Sequence, residues 1–253
     1  MILLANGPLP YVLGVYAVPH GGGSPTTLFG TAMAATGASG LAAAPRNDGI
    51  LFTALPFGVA QATFQLLHFD RARVLRTLSA LPPTFRFVPI GIVDQRGDLL
   101  LLNYSADAVE GGIFRWSPPA KTLTTVAPAL PNAAAMVEDL LTGDLRVGTA
   151  SGDVHRLARS GQIVSTQRGV LWSFVNARVK FETHLVDGSV LAAWGNLLRY
   201  DPRTGATATL APLVPGGIPL GLDYNPFHRD HYVTQNVDLQ RYDITTGRGV
   251  QLW

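Results

Sequence analysis

The chain has 253 residues, 47% hydrophobic and 14% charged, with 27 Gly and 18 Pro; it is long enough to bury a sizeable core, too apolar for disorder and too rich in Gly and Pro for a helical bundle. Its 19 basic and 17 acidic residues leave a formal charge of +2 with no block of like charges, which argues against nucleic acid or an anionic membrane as a partner. There is no Cys, so thiol nucleophiles, disulfides and cysteine metal sites are excluded, and no apolar run approaches the roughly 18–20 residues of a spanning helix.

In chain order, the first elements are three short strand signals at Ile2–Ala5, Tyr11–Val18 and Thr26–Thr31. The leading residues Met1 to Pro8 lack a basic n-region and do not form a signal peptide as they stand. The expected compartment is therefore cytoplasmic, or secreted or periplasmic with the leader removed. Next comes the turn Asp48-Gly49 with the apolar run Ile50–Leu55, then His68-Phe69-Asp70. Residues 59–81 lack Gly and Pro, and Phe64, Leu67, Val74, Leu75 and Leu78 would form a helical stripe. Two strands around an Asp70-Arg71-Ala72 turn fit the repeat better.

From there the pattern is regular. Arg96-Gly97, Thr142-Gly143, Asp187-Gly188 and Arg229-Asp230 are turns, each followed by an apolar run: Asp98–Asn103, Asp144–Thr149, Ser189–Trp194 and His231–Gln235. About a dozen residues after each turn stands a cation, a large apolar residue and often Asp: Arg115-Trp116-Ser117, Arg156-Leu157-Ala158, Arg199-Tyr200-Asp201 and Arg241-Tyr242-Asp243. A further turn and a β-type strand close each unit at Leu123–Val126, Ile163–Thr166, Thr207–Leu210 and Gly249–Trp253. The central positions 69, 116, 157, 200 and 242 are 47, 41, 43 and 42 residues apart, and Val15-Tyr16-Ala17 is a degenerate earlier copy. By phase alone Ala133–Leu141 is also a strand.

Four short strands, a to d, every 42 or so residues are the pattern of a β-propeller blade. The expected fold is one all-β domain, 1–253: a six-bladed β-propeller of four-stranded antiparallel blades, with five or seven blades as alternatives. The expected blades are about 1–37, 38–84, 85–130, 131–170, 171–213 and 214–253. The first lacks strand a. Of the 19 cations only Lys121 and Lys180 are lysines; with the abundant Ala, this bias suggests a GC-rich bacterial genome.

The unit of turn, apolar strand, Arg-aromatic-Asp and then Pro202-Arg203-Thr204-Gly205 or Ile244-Thr245-Thr246-Gly247 resembles the NHL-repeat, senescence-marker (gluconolactonase-like) and streptogramin-lyase-like propellers. The likeness is carried by residues 85–253. It implies a fold and little about activity. It also implies that ligands bind near the axis, on the face formed by the b–c and d–a loops.

On that face the ends of the b strands supply Asn6, Asn103, Ser151, Asn196 and Asn236. Short amides and hydroxyls there could bind a sugar, a polar ligand or a hard cation such as calcium in the channel. Asn also simply suits the turn after a strand. Beside them lie Asn132, Asn176, Arg178 and Trp172, where an aromatic and an Arg could grip a planar or anionic ligand. The a strands carry Asp94, Glu138, Asp139, Glu182, His184 and Asp223. Gluconolactonase-like proteins place a metal-binding Glu early in an inner strand, a position without a match here. Lyase-like members imply a His and a Glu, for which Glu182 and His184 are the nearest candidates. His228 and His231 have a His-x-x-His spacing, on an expected surface turn. The reading for function is a binding or interaction module for a small-molecule or protein ligand. The alternative is a divalent-cation-dependent lyase or lactone hydrolase. The oligomeric state has no signature in the sequence.

Overall fold

The computed structural model describes residues 2–6, 12–17, 19, 21–24, 26–43, 49–56, 63–85, 90–104, 111–117, 120–128, 130–170, 180–183, 188–194, 196–213, 219–225, 230–235, 238–243, 246 and 248–252. They are all-β: strands of small antiparallel sheets and the turns between them, with no helix among the described residues. The chain divides into two compact units, Met1–Pro131 and Asn132–Trp253.

The first unit opens with a six-stranded sheet in sequence order: β1 (Ile2–Asn6), β2 (Val12–Ala17), β3 (Thr26–Ala43), β4 (Gly49–Pro56), β5 (Gln65–Asp70) and β6 (Leu75–Ala80). The 18-residue β3 serves two neighbours. Its residues 26–34 pair with β2 and 35–43 with β4, and the β4 half has register shifts between Ala35 and Gly37 and between Ser39 and Ala42. The expected break near residue 37 is therefore a change of partner within one strand. Residues 65–80 form two strands, as the repeat phase requires. The turn between them is held by Asp70, whose Oδ1 accepts the Val74 amide at 2.9 Å and whose carbonyl accepts the Arg73 amide at 3.0 Å. The second sheet of this unit runs β10-β9-β8-β7 and comprises β7 (Ile90–Val93), β8 (Leu99–Asn103), β9 (Gly112–Ser117) and β10 (Thr122–Pro128). Leu51, Phe64 and Leu66 of the first sheet and its connection pack with Leu99, Leu101 and Trp116 of the second.

The second unit holds three four-stranded sheets. They are β11 (Ala133–Glu138), β12 (Leu145–Thr149), β13 (Val154–Leu157) and β14 (Ile163–Gln167); β15 (Lys180–Thr183), β16 (Val190–Trp194), β17 (Asn196–Tyr200) and β18 (Thr207–Pro212); and β19 (Pro219–Asn225), β20 (Asp230–Gln235), β21 (Asp238–Asp243) and β22 (Gly249–Gln251). The first strands neighbour one another, β11 beside β15 and β15 beside β19. The middle sheet is covered on both faces. Val190, Ala192 and Tyr200 pack with Ala135, Val137 and Val154 of the preceding sheet; Ala193, Leu197 and Ala211 pack with Val233 and Tyr242 of the following one. Double coverage explains why Val190–Ala193 is an unbroken apolar run rather than an alternating one.

The repeated triplet has a structural cause. Its central residue pairs with the start of the strand before it in every sheet: Phe69 with Ile50, Trp116 with Leu99, Leu157 with Leu145, Tyr200 with Val190 and Tyr242 with His231. All five central residues are buried. The preceding cation reaches the turn between the first two strands. Arg115 Nε lies 3.9 Å from Asp94 and 3.7 Å from Asp98, Arg156 Nη2 lies 2.6 Å from Asp144, and Arg241 Nε lies 3.9 Å from Asp230. Arg199 Nε donates to Ser189 Oγ at 3.2 Å. In the second repeat His68 stands in place of Arg, and Gly49 in place of the acid. A Cβ on Gly49 would fall 3.0 Å from His68 Nε2 and 2.1 Å from the Phe69 carbonyl. The Asp after the aromatic residue caps the next turn. Asp201 accepts the Arg203 amide and Asp243 the Thr246 amide, and the Arg203 amide and guanidinium hold the Asp201 carboxyl below its ordinary range.

Candidate functional site

The two ends of each sheet differ in chemistry. At the end formed by the first-to-second and third-to-fourth strand turns, the acids serve the fold. Asp94 accepts the amides of Arg96 and Asp98 at 2.9 and 3.0 Å. Asp139 accepts those of Leu141 and Thr142 and pairs with Arg146 at 3.4 Å. Both lie just beyond the first strands on which the sequence pattern places them, in turns where a carboxylate satisfies backbone N–H groups that a tight reversal leaves exposed.

At the other end, the second unit builds a compact loop around the Thr149 and Ser151 hydroxyls. Thr149 closes it. Its Oγ1 receives the Asp153 amide at 3.2 Å, its carbonyl receives the Gly152 amide at 3.0 Å, and its hydroxyl lies 2.7 Å from Ser151 Oγ. Gly152, at φ 87°, supplies the left-handed step. Asn132, also left-handed at φ 59°, offers its carbonyl to the Ala150 amide at 2.8 Å. That bond joins the loops carrying Ser151 and Asn132, so these two sequence candidates are brought together. Asp153 Oδ1 accepts the Gly169 amide at 2.9 Å, tying in the connection to the next sheet. Ser151 is exposed and Asn132 half-buried. Asn196 opens β17 at the corresponding end of the next sheet and is exposed. Beside the loop, His155 Nδ1 lies 2.8 Å from Thr166 Oγ1. Burial pushes its pKa down, against the opposing charge of Asp153.

The other candidates fall elsewhere. Asn103 ends β8 with its side chain buried, and its Nδ2 donates to the Thr84 carbonyl at 3.1 Å. It ties down the connection before β7. Asn6 ends β1, opposite Leu13. Glu182 lies in β15 opposite Leu191 and Asp223 in β19 opposite Tyr232. Glu138 ends β11 and is buried. Trp172, Asn176, Arg178, His184 and Asn236 lie outside the described residues, as does His228. His231 is not on a surface turn but in β20, wholly buried opposite Tyr242. Among the described residues no group of three or more His, Cys, Asp or Glu comes together as metal ligands.

Sequence reasoning missed Thr149 and Asp153, which hold the loop, because Thr-x-Ser-Gly-Asp differs little from any turn. It also missed a polar cluster between two sheets. Tyr200 is wholly buried, and its hydroxyl is pushed up to about 12 by burial, against the charge of Arg146.

No family model and no curated protein matches the chain. Solved structures match in fold. An auxiliary nutrient binding protein from Bacteroides thetaiotaomicron superposes with a TM-score of 0.64 at 13% identity, over 85% of this chain and 56% of that one. A second auxiliary nutrient binding protein, from Bacteroides ovatus, gives 0.65 at 12% identity over 84% and 56%. A protein of unknown function from Bacteroides caccae gives 0.64 at 14% identity over 99% and 92%. This chain thus spans 56% of the length of the two nutrient-binding proteins.

Proposed function

We propose that the chain is a six-bladed β-propeller, similar to the NHL-repeat and senescence-marker propellers, that binds a small neutral polar nutrient such as a sugar. The observation that carries this reading is the pinned loop end of the second unit. There Ser151 and Asn132 stand on hydrogen-bonded loops, with Asn196 at the same end of the next sheet. Neutral hydroxyls and amides held in place match the alternating donors and acceptors of a polyol at little ordering cost. That two structural neighbours are auxiliary nutrient binding proteins supports the class of ligand. It also supports a secreted or periplasmic setting.

The test is calorimetric titration of the wild type against a panel of neutral mono- and oligosaccharides and calcium chloride. The same titrations follow for the Ser151→Ala/Asn196→Ala pair and for Leu141→Ser at the opposite end. Losing two hydrogen bonds worth about 0.5–1.5 kcal/mol each should weaken binding roughly tenfold in the pair, while Leu141→Ser leaves it unchanged. A flat response across the panel refutes the reading, as does equal weakening by Leu141→Ser. A response to calcium alone replaces it with the cation-dependent lyase or lactone-hydrolase reading.

A further inference from the structure

The sheets end on strands of unequal character. In chain order the last strand of each sheet, β6, β10, β14, β18 or β22, is an edge. An edge offers a row of N–H and C=O groups to any strand that comes alongside, and proteins blunt such edges with charges, prolines or very short strands. Four of these five strands are blunted in this way. β6 carries Arg76, paired with Asp70 at 3.3 Å. β10 follows Lys121 and ends on Pro128, and β18 ends on Pro212; proline has no N–H to give a neighbour. β22 is three residues long and follows Arg248.

β14 has none of these devices. Ile163-Val164-Ser165-Thr166-Gln167 is five residues long and contains neither a charge nor a proline. β13 pairs with its inner side through Val154, His155, Arg156 and Leu157. Residues 163–166 are all exposed, and two of them are large apolar side chains, Ile163 at 47% and Val164 at 53%. A neutral, apolar and extended edge of this kind is a template for strand addition.

We propose that the outer edge of β14 is a self-association surface, to which a second copy of this chain adds its own β14 in antiparallel pairing. The composition of the strand selects this occupant. Full overlap puts Ser165 on the two-fold axis opposite its own copy, Val164 opposite Thr166 and Ile163 opposite Gln167. The flanks match as well: Arg168 meets Gln162, and Gly161 meets Gly169. No like charges face each other, and β-branched and hydroxyl pairs are among those that stabilise antiparallel strands. A charged segment of another protein would find no counter-charge on β14. The two strands run in opposite directions, so the two Ser151 loop ends lie at opposite sides of the joint sheet, and the pairing is independent of ligand binding there. A contact made by two five-residue strands is small, which sets the dimer Kd between about 1 μM and about 1 mM.

Sedimentation equilibrium of the wild type from about 10 μM to about 1 mM should show a monomer–dimer equilibrium. Ser165→Glu and Ser165→Lys each set two like charges directly opposite one another and should weaken the dimer about tenfold or more. An equimolar mixture of the two variants should restore it, because Glu then faces Lys. Ser165 is exposed, so both variants should keep the wild-type urea midpoint in dilute solution. Thr209→Glu, on the exposed face of β18, is the control and should leave the dimer unchanged. In the wild type alone, amide exchange at residues 163–167 should slow as concentration rises. A chain that stays monomeric throughout overturns the proposal. So does a dimer that survives both Ser165 substitutions, which moves the second copy to another surface, and so does a mixture that fails to recover.

Discussion

Arg156→Ala tests whether the recurrent cation exists to hold its turn. Arg156 Nε donates to Asp144 Oδ2 at 2.6 Å and Nη2 lies at the same distance. The arginine side chain is 36% exposed and the aspartate 14%. The pair thus lies between an exposed ion pair, worth about 0.2–1 kcal/mol, and a buried one, whose breakage costs about 3–5 kcal/mol. An expected cost of about 1–2 kcal/mol follows. For a chain of this size that lowers Tm by about 2–8 °C. A double-mutant cycle with Asp144→Ala, read from urea midpoints, isolates the coupling. Most of the cost should appear as coupling, and it should survive about 1 M salt, because contact-distance pairs are little screened. Arg203→Ala is the control: its side chain is 77% exposed beside Asp201, and its loss should stay within about 0.5 kcal/mol. A coupling below about 0.3 kcal/mol, or an equal cost for Arg203→Ala, would refute the structural account of the motif.

Gly49→Ala should cost about 2–5 kcal/mol, because φ is +137° and the new Cβ would meet the Phe69 carbonyl, a backbone atom that cannot step aside. Gly188→Ala, at φ +71° with its nearest contact at 3.9 Å, carries only the backbone term of about 1–2 kcal/mol; equal urea midpoints for the two would contradict the steric argument. Burial lowers the His155 pKa below 6.5 in the folded protein, so the unfolded chain takes up that proton first as pH falls. The neutral imidazole thus contributes stability above about pH 6.5 that is lost on acidification below it. His155→Gln should remove this part of the slope between about pH 7.5 and about pH 5, and an unchanged slope would show that His155 is not its source.

Much of the fold was legible because its demands recur. Phe69, Trp116, Leu157, Tyr200 and Tyr242 stand at one register position each, so the sequence carries their spacing openly. The same spacing decided between helix and strands at residues 65–80, where the apolar stripe alone was ambiguous. It also identified β11, whose six residues Ala133–Glu138 are all buried and so lack alternation. The continuity of β3 was not legible. Gly30, Gly37 and Gly40 look like punctuation, yet the strand continues through them by exchanging one neighbour for another. A residue-by-residue reading has no signal for a strand that belongs to two pairings.

The site is harder to read for the converse reason. In a repeated structure, residues that recur answer the same structural need in every copy, so the most conspicuous motif is the least informative about ligands. The Arg–Asp pairs of three repeats are the chain's most regular polar feature, and they are consumed within their own sheets. Recognition has to be sought where equivalent positions diverge. The ends of the second strands do diverge. Asn103 turns inward to the Thr84 carbonyl, Ser151 stands exposed on a loop closed by Thr149, and Asn196 is exposed at the start of the third strand. Polar residues at this end of the sheets thus have different fates. A four-residue reversal, Ala150 to Asp153, with Gly152 at positive φ holds Ser151 exposed, whereas Thr84 in the connection before β7 takes up the amide of Asn103. The connections between strands, not the triplet motif, therefore decide which of these side chains stay exposed.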